Sequence, residues 1–428
     1  MRLLAGLLRK AIRTGTLTLR GPDGFGETFG GAAPGPDVAI RVSDPAFGRR
    51  IAMNPELAAA EAFMAGVLTI ESPTEDGQGA WELLELFFLN KREFDLDARQ
   101  IARKAALRSA RRFLQHNPVA RSRANVRHHY DIGNDLYRLF LDRDLQYSCA
   151  YFPDGGETLE EAQTLKKRRI AAKLALAPGQ RVLDIGCGWG GMALYLAGVA
   201  GVEVTGVTLS EAQLKVARAR AEAAGLADRC RFELTDYREV TETYDRVVSV
   251  GMLEHVGIGQ LGRYFLEVRD RLKPDGVALI HSISSKAPPG ITSPFLARYI
   301  FPGGYAPSLS EVMLRIERSG LWLLDCEVWR VHYARTLRAW RQRFEAHRAE
   351  VEAMHDARFA RMWEFYLAAC EGAFAYGSSN VVQLQLGRTR DAVPLSRGYV
   401  AEAEARLAGA EAGVVERLLA SSEAALGA

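Results

Sequence analysis

The stretch Arg181-Val-Leu-Asp-Ile-Gly-Cys-Gly-Trp-Gly-Gly191 decides the fold. Val182, Leu183, Asp184 and Ile185 form a short apolar run carrying one acid, and it leads straight into four glycines within six positions. Met192 to Ala200 then has the composition of a helix, so the segment predicts strand, tight turn, helix. A Cβ in such a turn would obstruct both the backbone angles and the close approach of a ligand. The free N–H groups at the start of the helix favour a carboxylate or phosphate above the turn.

Gly186, Gly188 and Gly191 also satisfy the spacing of a dinucleotide-binding turn, which requires an acid about 20 residues on, at the tip of the second strand. That tip, Val204-Thr-Gly-Val-Thr-Leu-Ser210, ends its strand at Thr208, and Glu211 already belongs to the next helix. The strands downstream fit a different ligand. A third strand ends at Leu234-Thr-Asp-Tyr-Arg238, and a fourth, Tyr244 to Val250, opens into Gly251-Met-Leu-Glu-His-Val256. An amphipathic helix (Leu261 to Leu272), a turn at Lys273-Pro-Asp-Gly276 and a fifth strand (Val277 to Ser284) complete the pattern. An acid at the first strand, a polar pair after the third and a charged pair after the fourth is the layout of class I S-adenosylmethionine methyltransferases. The expected fold class is therefore α/β, a Rossmann-like seven-stranded sheet with lid helices, plus a small N-terminal α+β domain.

The 428 residues, 48% hydrophobic and 25% charged, suit two globular domains and exclude disordered and fibrous classes. Five cysteines (149, 187, 230, 326 and 370) are scattered without a C-x-x-C pair, so reduced thiols are expected and no metal site. Met1 to Arg13 alternates leucine pairs with basic residues but lacks the long apolar core of a secretion signal. No window of 18 uninterrupted apolar residues exists to span a membrane. A net charge of +3 decides little, but its distribution does: nine Lys or Arg and no acid lie between Ala98 and Tyr130, and Lys166-Lys-Arg-Arg169 comes soon after. A solvated connector and an anionic membrane surface both suit such runs. Nucleic acid is not expected as a partner, because no aromatic interleaving and no nucleic-acid motif accompanies them.

In chain order, residues 1 to about 115 read as the separate N-terminal domain. Strands at Leu17 to Leu19 and Val38 to Val42 flank a Gly/Pro-rich loop, Gly21 to Pro36. Asn54-Pro55 starts a helix through Met64 with Asn54 as its cap. A second helix, Gly79 to Leu89, places Leu83, Leu84, Phe87 and Phe88 on one face as domain core. Residues 98 to 124 are basic and amphipathic, the composition of an interfacial helix. Residues 116 to 400 form the catalytic domain, with lid segments before the first strand. Beyond the fifth strand come a proline-rich apolar lid (Lys286 to Leu309), a sixth strand (Leu321 to Val331), a helical region (Tyr333 to Tyr376) and a seventh strand (Val381 to Leu386). The Ala/Glu-rich tail, 401 to 428, is expected to be a peripheral helix without chemistry.

Five motifs stand in a fixed order: Tyr130-Asp-Ile-Gly-Asn-Asp-Leu-Tyr137, Gln146-Tyr-Ser-Cys-Ala-Tyr151, Val182 to Gly191, Gly251-Met-Leu-Glu-His-Val-Gly257 and Tyr366-Leu-Ala-Ala-Cys-Glu-Gly-Ala-Phe374. Together they resemble the cyclopropane-fatty-acid synthases and the related mycolic acid cyclopropane synthases, over about residues 115 to 390. The resemblance implies methyl transfer from S-adenosylmethionine to a cis double bond of an acyl chain in a bilayer phospholipid, with bicarbonate as the base. It assigns Cys149, Glu254, His281 and Tyr333 as side-chain contacts of that bicarbonate and Ile283 as a backbone contact. Cys370 matches a cysteine marked as catalytic in the family, although the chemistry needs no thiolate there.

For the cofactor, the resemblance and the strand order bring in Asp184 and the turn Gly186, Cys187, Gly188, Trp189 and Gly190 at the amino-acid end. Tyr147 and Ser148 close from the lid, Thr208 and Gln213 meet the ribose, and Tyr237 and Arg238 meet the adenine. Asp236 is placed to accept from the adenine amino group. Taken singly, such residues are more often core than ligand; the matched set carries the assignment. The resemblance further implies a cytoplasmic enzyme, peripherally associated with an anionic membrane surface and homodimeric. A sibling lipid C-methyltransferase making a methylene- or methyl-branched or furan-precursor chain begins with the same step, so the motifs leave both products open.

Overall fold

The computed structural model describes residues 1–71, 79–95 and 133–427. The basic segment 98–124 and the motif residues Tyr130 to Ile132 lie outside them. The chain packs as two compact units, residues 1–111, 291–302 and 337–378 in the first and the remainder in the second. This packing cuts across the linear division at about 115 and 400, because two later segments return to the first unit.

In the first unit, strands β1 (Thr14–Arg20), β2 (Gly26–Gly30), β3 (Ala33–Val42) and β4 (Leu68–Ile70) form a sheet in the order β2-β1-β3-β4. The supposed loop at 21 to 36 thus contains β2, whose Phe29 is buried opposite Leu17. Buried Asn90 anchors the sheet: its Oδ1 accepts the N–H groups of Arg13 and Thr14 at 2.7 and 2.9 Å, while its Nδ2 donates to the carbonyls of Thr14 and Leu86. Helix Ala80–Leu89 buries Trp81, Leu84 and Leu86; of the expected face Leu83, Leu84, Phe87 and Phe88, Leu84 is buried and the other three are half-buried. Asn54 precedes helix Pro55–Met64 without a side-chain cap; Pro55 at the first turn removes a donor that would otherwise need one.

The second unit is built on a seven-stranded sheet. Its strands are β5 (Arg181–Ile185), β6 (Glu203–Thr208), β7 (Cys230–Leu234), β8 (Tyr244–Val250), β9 (Leu272–Ser285), β10 (Trp322–Trp329) and β11 (Ser379–Gly387), in the order β10-β11-β9-β8-β5-β6-β7. From β9 to β7 neighbours are parallel, and β10 and β11 run antiparallel. The expected turn at Lys273 to Gly276 is absorbed into β9, where a register shift against β8 accommodates three extra residues and Lys273 pairs with Asp245 at 2.8 Å. The order reverses between β5 and β8, so the loops after them diverge and leave a crevice at their carboxyl ends.

Both sheet faces are covered by apolar clusters. The tail contributes to one of them, which corrects its expected peripheral role. It forms two helices, Gly398–Ala410 and Val414–Gly427, whose Leu407 and Leu418 pack with helix Gly191–Ala200. Glu411 between them takes hydrogen bonds from Arg168 Nε at 2.9 Å and from the Tyr195 hydroxyl.

Candidate active site

The crevice begins at the turn after β5. Gly186, Gly188 and Gly190 have φ of +80°, +55° and +84°, conformations that L side chains rarely adopt. The N–H groups of Gly186 and Cys187 both donate to the Val207 carbonyl, at 2.9 and 3.1 Å, and tie the turn to β6. Asp184, Gly186, Cys187, Gly188 and Trp189 line the floor of a pocket, Thr208 and Gln213 one wall, and Tyr237 the far end. Gly190 does not line it: a Cβ there would stand 2.9 Å from the Phe232 ring, so Gly190 serves the close packing at the helix start. Asp184 is buried with Oδ2 unpartnered among the described residues, and burial pushes its carboxyl up to about 7. Trp189 is fixed by its indole N–H donating to Asn134 Oδ1 at 2.9 Å and by the Tyr137 ring.

At the tip of β6, the Thr208 hydroxyl donates to Gln213 Oε1 at 3.1 Å, so two neutral groups stand where a dinucleotide enzyme carries an acid. Asp236, Tyr237 and Arg238 share an adjoining hollow with Met252 and His255. Both carboxylate oxygens of Asp236 take donors from Arg238, at 2.7 and 2.6 Å. Arg238 thus fixes the orientation of that carboxylate, each oxygen of which has a second lone pair.

Leu145 to Ser148 form the lid of this pocket. The buried Asp142 carboxylate accepts the N–H groups of Asp144 and Gln146 at 3.0 and 2.9 Å and holds Leu145 at φ +56°, a conformation costing a non-glycine residue about 1–2 kcal/mol. Helix Leu159–Lys173 then secures both ends of the Gln146-Tyr147-Ser148 segment. Gln163 Nε2 donates to the carbonyls of Gln146 and Ser148 at 3.1 and 3.0 Å, and Lys166 Nζ to Gln146 Oε1 and Ser148 Oγ at 2.7 and 2.8 Å. When Lys166 is charged it only donates, so Ser148 then accepts and its own proton is left for the pocket. Lys167 and Arg220 both pair with Asp144, and Arg220 also donates to the Trp189 carbonyl at 2.9 Å, joining lid to glycine turn. Burial pushes the Asp142 carboxyl up and the Lys166 ammonium down.

This network overturns one expectation. Lys166 and Lys167 are 0% and 1% exposed, Arg168 pairs with Glu411, and Arg169 with Glu327 and Glu404. The run Lys166 to Arg169 is therefore no membrane-facing patch: Lys166 is held by Gln146 and Ser148, and the chain's own acids pair with the other three.

A second set stands at the carboxyl ends of β8 and β9. Glu254 follows β8 in a short helix (Leu253–Val256), and its Oε1 accepts the Ile283 N–H at 2.5 Å. The backbone donor expected to face bicarbonate is thus engaged by Glu254. The other oxygen, Oε2, is buried without a partner among the described residues, and burial pushes the carboxyl up to about 7. His281 is 2% exposed and packs edge-on to Trp329 with its Nε2 likewise unpartnered; burial and the nearby Lys166 and Lys173 charges hold it well below the usual histidine range. Cys149 is buried beside the Ala150 N–H that donates to Thr336 Oγ at 3.0 Å, and burial raises its thiol. Lys166 acts electrostatically on both Cys149 and His281. Tyr333 is half-buried at the start of helix His332–Ala346, one turn before Thr336. Cys370 belongs to the first unit, on helix Ala357–Ala375, where burial pushes its thiol up to about 12. Such a thiol carries no thiolate near neutral pH.

Sequence reasoning missed Asp142, Asp144, Gln163, Lys166, Lys173, Arg220 and Gln383. A signal existed for four of them: Gln163, Lys166 and Lys173 share the inward stripe of helix Leu159–Lys173 with Leu159, Ala162 and Ile170, and Gln383 interrupts an apolar strand. Polar groups in such places are kept only when bonded.

The sequence profile of the mycolic acid cyclopropane synthetase family matches residues 118–384. The cyclopropane-fatty-acyl-phospholipid synthase of Escherichia coli (strain K12) is 39% identical over 355 residues, 82% of this chain and 87% of that protein. A probable fatty acid methyltransferase of Pseudomonas putida is 39% identical over 266 residues, 60% of this chain and 68% of the relative. Among solved structures, the mycolic acid cyclopropane synthase CmaA1 complexed with SAH and CTAB superposes with a TM-score of 0.59 at 31% identity, covering 64% of this chain and 99% of that one. Profile, identity and fold agree, and the chain belongs to the mycolic acid cyclopropane synthetase family of S-adenosylmethionine-dependent methyltransferases.

Proposed function

We propose that this enzyme transfers the methyl group of S-adenosylmethionine to the cis double bond of an unsaturated acyl chain in membrane phospholipid and closes a cyclopropane ring. The observation that carries the reading is the pair of buried, unpartnered polar atoms Glu254 Oε2 and His281 Nε2, set where β8 and β9 end beside the cofactor crevice. An alkene is a weak nucleophile with no proton to lose beforehand, so a base beside it serves nothing at the first step. Attack on the sulfonium methyl leaves a carbocation, and ring closure then requires a proton to leave the added methyl.

None of the cysteines in the set supplies that base, since burial keeps the Cys149 thiol protonated. The residues fit a small oxyanion instead: a histidine N–H to donate and a carboxylate oxygen to accept are complementary to the oxygens and the hydroxyl of bicarbonate. When bound, bicarbonate supplies a base and a negative charge next to the developing cation. His281 and Glu254 would orient it, and Tyr333 and Cys149 complete the contact set implied by the family. Ser148, donating from the lid, would hold the cofactor carboxylate, and Asp184 Oδ2 its ammonium.

A probable fatty acid methyltransferase matches at equal identity, and methyl transfer to the alkene is equally the first step of a second reading, a methylene- or methyl-branched product. Lipid mass spectrometry on cells expressing the protein separates the two. A product heavier by one CH2 that resists mild hydrogenation supports the ring; one of the same mass that takes up hydrogen readily supports a methylene branch, and one heavier by a further two hydrogens, which requires an added hydride donor, supports a methyl branch. Docking on anionic bilayers through the nine cations between Arg99 and Arg127 is part of the reading, supported by the absence of any acid there. That segment lies outside the described residues; among those that are described, no helix is long and apolar enough to cross a membrane.

A further inference from the structure

Glu327, Gln383 and His281 form a row across three neighbouring strands: Glu327 is directly opposite Gln383 between β10 and β11, and Gln383 directly opposite His281 between β11 and β9. Lys173, 2% exposed at the end of helix Leu159–Lys173, completes the row by pairing with Glu327 and donating to Gln383 Oε1 at 2.8 Å. On the far side of the same amide, Gln383 Nε2 lies 3.2 Å from His281 Nδ1. Gln383 itself is 0% exposed, so water does not compete for these bonds.

The direction of every bond in this chain follows from one fact: an ammonium has donors and no acceptor. The group of Gln383 facing Lys173 must be its carbonyl oxygen, so its NH2 faces His281. An amide nitrogen only donates, and Nδ1 must therefore accept. A neutral imidazole that accepts at Nδ1 carries its proton on Nε2. Burial and the two lysine charges keep the ring neutral. We infer that Gln383, oriented by Lys173, is a positioning residue that fixes His281 as its Nε2–H tautomer, so that the ring offers the site a hydrogen-bond donor and not a base. The inference rests on the reading of His281 as an anion contact in the proposed function and gives it a polarity. A donor suits an oxyanion; an acceptor at the same atom would repel it.

The test uses the full-length protein labelled with 15N-histidine, and long-range proton–nitrogen correlation reads the His281 tautomer, assigned by its loss in His281→Gln. In the wild type the proton is expected on Nε2. In Gln383→Glu the carboxylate still pairs with Lys173 but has no donor for the ring, so the proton should move to Nδ1 and leave Nε2 a bare acceptor. Product formation should then fall about a hundredfold, the usual effect of losing one preorganised donor, while the KM for S-adenosylmethionine stays within about twofold. Gln383→Met, which removes the bond without adding charge, should give mixed tautomers and an intermediate rate. A wild-type ring protonated at Nδ1 overturns the inference, and that result needs no variant to fold. So does a Gln383→Glu enzyme that loses activity with its tautomer unchanged, or keeps activity with the tautomer reversed. If removing bicarbonate leaves turnover unaffected while the tautomers behave as described, the bicarbonate reading fails and the positioning of His281 stands.

Discussion

Replacing Asp184 by Asn should stabilise the ligand-free protein, and increasingly so as pH rises. Asp184 is 2% exposed at the end of β5, and burial alone pushes its carboxyl from the ordinary 3.8 to about 7. The sign follows from linkage. Below pH 3.8 the folded and unfolded chains both carry the proton, and the group is neutral in both. Between 3.8 and 7 the folded chain keeps a proton that the unfolded chain releases, so stability falls as pH rises. Above 7 the full penalty is present, about three units at 1.36 kcal/mol each, or about 4 kcal/mol. At pH 5 the same arithmetic gives about 2 kcal/mol. Asn resembles the protonated acid in shape and in carrying an unsatisfied donor, so the exchange itself is close to neutral. The advantage of Asp184→Asn in urea unfolding should therefore grow by roughly 2 to 3 kcal/mol between pH 5 and pH 8. A gap that is constant with pH, or a variant less stable than wild type at pH 8, refutes the argument. Saturating S-adenosylmethionine should narrow the gap, because its ammonium gives Oδ2 the partner the apoprotein lacks, and the variant should bind the cofactor more weakly.

Gly188→Val forces a β-branched residue to φ +55° with its side chain in the pocket, so calorimetry should show cofactor binding lost while far-UV circular dichroism stays native. Stripping bicarbonate from the assay should lower product formation about a hundredfold, the scale of general base catalysis, and leave the cofactor Kd unchanged; an indifferent enzyme would mean another base. Cys370→Ser should keep turnover within about threefold, because a thiol pushed up to about 12 supplies no nucleophile at neutral pH; a loss of several orders of magnitude would restore its catalytic role. Changing Arg103, Lys104, Arg111 and Arg112 to Gln should cost about 1 kcal/mol of anionic-vesicle affinity per residue, read by sedimentation at low salt, with the cofactor Kd unmoved.

Residues 181 to 191 disclosed the sheet because strand, turn and helix are each specified locally, by apolar run, glycine and periodicity. Thr208, Gln213 and Tyr237, which line the pocket, are legible only through the family resemblance, although strand tips converge wherever parallel strands are joined by helices. Polar side chains whose partners are distant in sequence were out of reach. Asp144 meets Arg220 across 76 residues, and Lys173 meets Gln383 across 210. Nothing local marks either pair. The packing of 291–302 and 337–378 with the first unit is non-local in the same way.

The run Lys166-Lys-Arg-Arg169 shows what composition conceals and geometry restores. Four consecutive cations on a helix cannot share one environment, because successive side chains point about 100° apart. Two of them turn inward here. Lys166 comes after Ala162 and Gln163 and before Ile170 on the buried stripe, while Arg168 and Arg169 reach the acids Glu411, Glu404 and Glu327. Placing a lysine inward is costly unless every donor finds an acceptor, and the acceptors are the lid's own Gln146 and Ser148. Seven residues further along the same stripe, Lys173 meets that requirement with Glu327 and Gln383. One helix thereby sets hydrogen-bond direction at two places: at Ser148 over the cofactor pocket, and through Gln383 at His281. A donor-only cation buried on a rigid element is a means of orienting groups that could otherwise donate or accept, and both groups oriented this way belong to the site.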